Sequence, residues 1–136
     1  MSRDKFALGH SAEIEFCITP AEMDAFRDLS GDTNPLHADD AYARGLGFEG
    51  RVVFGALIVA KISALIGVHI PGIGGVWSGL KIDFRKPLYP GETVMLTGTI
   101  DHKSDAARMI TLKLRADTVD KCIATGTAEV VFRGDD

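Results

Sequence analysis

Gly55-Ala56-Leu57-Ile58-Val59-Ala60-Lys61-Ile62-Ser63-Ala64-Leu65-Ile66-Gly67-Val68 is the most apolar stretch of the chain, and Pro71-Gly72 closes it. Apolar residues fall around most of its helical circumference, which predicts a helix over 55–68 enclosed by other structure. Its small residues, Ala56, Ala60, Ser63 and Ala64, are expected to let sheet backbone approach closely. The wider run from Val52 to Ile70 has the length of a membrane span, but Lys61 lies near its middle and His69 near its end. A charge at the bilayer centre costs at least about 2.5–3.5 kcal/mol, so a core helix is the better reading.

What lies after this helix says what encloses it. Val76, Ser78, Leu80, Ile82 and Phe84 alternate with Trp77, Lys81 and Asp83. Val94, Leu96, Gly98 and Ile100 repeat the pattern, as do Ile110, Leu112, Leu114 and Ala116, and then Cys122, Ala124, Gly126, Ala128, Val130 and Phe132. Each run predicts a strand with one apolar face, joined to the next by a short connection. An earlier strand is expected at 13–18, with Ile14, Phe16 and Ile18 on one side. After it, Thr19-Pro20-Ala21-Glu22 spells an N-cap, a first-turn proline and a capping-box acid, and the helix it starts should stop near Ser30-Gly31. The economical architecture is α+β: a curved antiparallel sheet wrapped around the helix at 55–68. The edge strands of such a sheet are unpaired, so joining to a second copy is expected, as a homodimer or higher homo-oligomer.

At 136 residues the chain suits one domain, read here as 1–136. A net charge of −4 counts against nucleic acid or anionic lipid as the main partner. Two cysteines are too few for a disulfide framework or a Cys-based zinc site, and His10, His69 and His102 lack ligand-spaced partners, so no metal is expected. Polar sequence follows Met1 in place of a secretory apolar core, which fits the cytoplasm.

The chemistry concentrates in Ser30-Gly31-Asp32-Thr33-Asn34-Pro35-Leu36-His37. Asn34 suits an N-cap and Pro35 the first helical position, which puts His37 about two residues into a short turn. A carboxylate and an imidazole presented by one tight loop can flank a small reacting group, one as base and the other as proton donor. The same residue types also serve as turn and cap chemistry, in which Asp32 satisfies backbone N–H groups. Both readings stand on residue types alone.

This segment, the Ala38-Asp39-Asp40-Ala41-Tyr42-Ala43 that follows it, Phe48-Glu49-Gly50-Arg51-Val52-Val53 and Phe84-Arg85-Lys86-Pro87-Leu88-Tyr89-Pro90-Gly91-Glu92 together resemble the MaoC-like family of (R)-specific enoyl-CoA hydratases. The resemblance spans roughly residues 13–132 and implies the hot-dog fold. It also implies Asp32 and His37 as the pair that adds water to a 2-enoyl thioester or removes it from a 3-hydroxyacyl thioester. The amino end of the central helix at Gly55 would supply the donors for the thioester oxygen, with Ser63 and Asn34 as orienting residues. Arg51, Arg85 and Lys86, with Lys81 beside them, are candidates for the phosphates of an acyl-CoA or acyl-carrier-protein thioester. No cofactor is implied. One departure stands out: the family usually opens this helix with His-Gly, where this chain has Phe54-Gly55. A hot-dog thioesterase and a non-catalytic acyl-thioester-binding subunit are the competing readings.

Overall fold

In the computed structural model, which describes residues 6–133, five antiparallel strands form one sheet. They are β1 (Ser11–Cys17), β2 (Gly75–Phe84), β3 (Thr93–Ser104), β4 (Met109–Asp117) and β5 (Cys122–Phe132). The spatial order is β1-β3-β4-β5-β2, which leaves β1 and β2 at the edges. Helices α1 (Pro20–Ser30), α2 (Asp40–Gly45) and α3 (Gly55–Ala64) all lie in the chain between β1 and β2. This is the hot-dog arrangement: α3 is laid into the curve of the sheet, with Ile58, Ile62, Leu65 and Ile66 buried against it. Among the described residues no helix is long and apolar enough to cross a membrane.

Local rules account for most of these elements. Thr19 caps α1 by accepting from the Glu22 N–H at 3.1 Å, and the Glu22 carboxylate accepts from the Thr19 N–H at 2.9 Å. Gly31 ends the helix in the left-handed region at φ 77°, which a side chain would resist. Strands β3 and β4 bury Val94, Leu96, Ile100, Ile110, Leu112, Leu114 and Ala116, the faces that period two predicts.

Three expectations need correction. The apolar set of β2 does not run unbroken, because Trp77 pairs with Val130 and Gly79 with Glu129, leaving Ser78 as an extra residue. This bulge turns Trp77 toward the core and Val76 outward, 49% exposed. A second irregularity, between Ala116 and Asp117 on β4, lets Ile123 of β5 be buried beside Ala124. Helix α3 is covered on one side only. Its small residues Ala56, Ala60, Ser63 and Ala64 face outward, and its large ones face the sheet. The close approach comes from the other partner: a Cβ on Gly98 of β3 would stand 3.1 Å from Leu65. The helical path ends within a residue of the expected 68, its last part widening into a π turn over Leu65–His69.

Candidate active site

Asn34 opens a short 3-10 turn, Pro35–His37, by accepting from the Leu36 N–H at 3.0 Å. The segment before α3 then crosses this turn. Val52 donates its N–H to the Leu36 carbonyl at 3.0 Å, and its own carbonyl lies 2.7 Å from His37 Nδ1. A carbonyl oxygen only accepts, so Nδ1 carries the proton, and in the neutral ring Nε2 is the nitrogen with a free lone pair. On one face the imidazole stacks on Phe54, with ring centroids 4.2 Å apart and planes 25° from parallel.

His37 lines a groove of about 420 Å³. Val52, Val53, Gly55 and Ile58 form one side with it, and Phe84, Arg85, Lys86, Pro87 and Leu88 face them. Arg85 is steadied by donating from Nε to Thr125 Oγ1 at 2.8 Å. The first turn of α3 reaches this groove at Gly55, and no side chain caps it. Helix amides at that position lack intrahelical partners and carry the positive end of the dipole. An imidazole nitrogen, uncapped amide donors and two cations therefore share one largely apolar cleft.

The other predicted residues are placed as follows. Asp32 is exposed, accepts from the Asn34 N–H through Oδ1 at 3.1 Å, and is not part of the groove lining. Asn34 spends its side-chain oxygen on the turn. Ser63 lies on the outward face of α3, two turns from Gly55. Lys81 is exposed on β2. Arg51 lies in a different, larger cleft and pairs with Asp24 at 3.5 Å. Gly55 is needed first for a neighbouring ring, because a Cβ there would stand 2.7 Å from the tip of Phe84. Sequence reasoning missed Val52 and Phe84, whose link to the site is long-range. The approach of residue 52 to residue 37 has no local signature.

Sheet, central helix and groove define a hot-dog-fold protein that presents an imidazole beside its central helix tip. Residues 8–121 match the MaoC like domain. The chain belongs to the MaoC-like family. It is 33% identical over 131 residues to the (R)-specific enoyl-CoA hydratase of Aeromonas caviae, covering 96% of this chain and 98% of that one. To the (R)-specific enoyl-CoA hydratase of Rhodospirillum rubrum it is 30% identical over 123 residues, 90% of this chain and 85% of the relative. The solved structure of the (R)-hydratase from A. caviae superposes with a TM-score of 0.88 at 31% identity, covering 93% of this chain and 97% of that one.

Proposed function

We propose that this chain is a lyase that adds water (R)-specifically across the double bond of a 2-enoyl thioester, or removes it from the 3-hydroxyacyl thioester in reverse. The observation that carries the reading is the His37 imidazole, oriented by Val52, in the groove that opens on the uncapped tip of α3. A water held between His37 and Asp32 loses a proton as its oxygen bonds to C3. A proton is delivered to C2, and the charge that builds on the thioester oxygen is met by the first amides of α3. In this reading Asp32 keeps Oδ1 on the Asn34 N–H and offers Oδ2 to the water.

Arg85 and Lys86 stand on the groove where a coenzyme A or carrier-protein phosphate would pass. Arg51 is committed to Asp24 and lines the other cleft, away from this groove. The whole chain, 1–136, acts as one cytoplasmic domain. A second copy joins at the free edge of β2, where Val76, Leu80 and Phe84 are exposed.

The test is loss of enoyl absorbance when protein is added to 2-enoyl-CoA, with chiral analysis of the product. His37→Ala and Asp32→Asn should fold and lose turnover, and normal turnover by both would remove the assigned roles. Thiol release without hydration would make the chain a thioesterase. Tight binding without turnover would make it an acyl-binding subunit.

A further inference from the structure

We propose that Phe54 is a positioning residue that holds the His37 ring in its reactive plane and ties it to the tip of α3. The proposal rests on the lyase reading above. A single hydrogen bond from Nδ1 to the Val52 carbonyl fixes one edge of the imidazole but leaves the ring free to swing about that bond. The missing constraint is a flat surface, and Phe54 supplies it at 4.2 Å and 25°. Phe54 is itself immobilised: it is 3% exposed, and Phe26 of α1 lies against it at a centroid distance of 4.8 Å.

Phe54 is also the residue that precedes Gly55 and opens α3. One side chain therefore sets the spacing between the proton acceptor and the amide donors. An aliphatic residue of similar bulk would fill the volume without enforcing the ring plane. Aromatic pairs of this kind contribute orientation beyond the area they bury.

Two readouts on the full-length protein separate this role from simple packing. In nitrogen-15 histidine spectra, His37 should show a protonated Nδ1 and an unprotonated Nε2. Phe54→Leu should bring in the Nε2-protonated tautomer that free histidine favours, and Phe54→Tyr should retain the original pattern. With 2-enoyl-CoA, Phe54→Leu should lower kcat roughly 10- to 100-fold, the scale of a small misplacement, with KM changed little. Should Phe54→Leu not fold, Phe26→Leu removes only the brace and should give an intermediate tautomer mixture. An unchanged His37 spectrum in Phe54→Leu, or in Phe26→Leu where that variant stands in, would overturn the proposal. So would equal losses of kcat in the Leu and Tyr variants that track their Tm values. If the wild type turns over no thioester while the spectra behave as expected, the lyase reading fails and the positioning role stands.

Discussion

Two clefts flank the segment that runs from residue 49 to 53, and they differ in what their polar groups are doing. The wider one, about 600 Å³, is lined by Asp40, Arg44, Glu49, Arg51, Tyr89 and Glu92 among others. Nearly every one of those groups is engaged within the protein. Asp40 accepts from the Arg51 N–H at 2.8 Å, Arg44 donates to the Glu49 carbonyl at 3.1 Å, and Tyr89 accepts from the Glu49 N–H at 3.0 Å. Glu92 holds Lys121 at 3.1 Å. The narrower cleft carries fewer polar groups, but His37 Nε2 and the amides at Gly55 are uncommitted. Size marks the wider cleft and unspent chemistry marks the narrower one. Polar groups that satisfy one another stabilise a fold, whereas groups left unsatisfied beside an apolar wall are poised for a ligand.

The largest expected effect breaks this comparison outright if it fails. His37→Ala should cost roughly 10²- to 10⁴-fold in kcat on 2-enoyl-CoA, the usual worth of a positioned acid or base. Arg44→Ala, in the wider cleft, should leave kcat and KM within about threefold, as a surface group outside the site should. A raised KM in Arg44→Ala with an intact His37→Ala enzyme would reverse the assignment of the two clefts. Steady-state kinetics on the two variants decides it.

A subtler effect separates stability from activity inside the narrower cleft. Gly55→Ala puts the best helix former at the first residue of α3, which favours the helix by at most about 1 kcal/mol, the interior value. The added methyl collides with Phe84, whose ring is half exposed and can swing away. The ring then moves within the groove it lines. We expect Tm to hold or rise while kcat/KM falls roughly 10-fold, and Phe84→Leu in the same chain to restore part of the loss. A fall in Tm that accounts for the lost activity would show Gly55 serving packing alone.

The same contrast explains what could be read from the sequence. The capping box at Thr19 and Glu22 and the alternation in β3 and β4 depend on neighbours within a few residues, and period and spacing expose them. Strand β2 departs from strict alternation at one point, because Ser78 is an extra residue in its register. The adjacent Gly79 is the only local sign of the bulge there. The outward turn of Ala60 and Ala64 depends on Gly98, more than thirty residues away in sequence, making room for Leu65. At the site, the 30–37 motif was legible as chemistry. The bond from His37 to Val52 and the stack on Phe54 were not, because the chain path between them is set by tertiary packing.

Asp40 tests whether the wider cleft works as a clamp. It has no part in the proposed reaction, yet its carboxylate steadies the Arg51 N–H, one residue from the carbonyl that orients His37. Asp40→Ala should cost about 1–2 kcal/mol, seen as a fall in Tm of roughly 3–8 °C. Asp40→Asn keeps an oxygen acceptor and should lose less. Activity per folded molecule should fall by less than in any narrow-cleft variant. Thermal unfolding together with kinetics below Tm separates the two losses.

The smallest effect belongs to the start of α1, whose Pro20 lines the wider cleft. The Thr19 N–H donates to the Glu22 carboxylate and holds its pKa below the ordinary 4.5, with the Thr19 hydroxyl and the more distant Lys61 acting in the same direction. Partial desolvation opposes them. A lowered folded-state value means that near this pH the unfolded chain binds more protons than the folded one. Stability from this group is therefore complete above the ordinary glutamate range and is lost as pH falls through the folded value. Glu22 is almost fully solvated, so the contribution is slight. Between about pH 5 and 3, Tm should fall slightly less steeply in Glu22→Gln than in the parent, and the two curves should run parallel above pH 6. Curves of equal slope throughout would mean that the capping-box carboxylate titrates alike in both states, leaving its hydrogen bond to Thr19 without a share in acid stability.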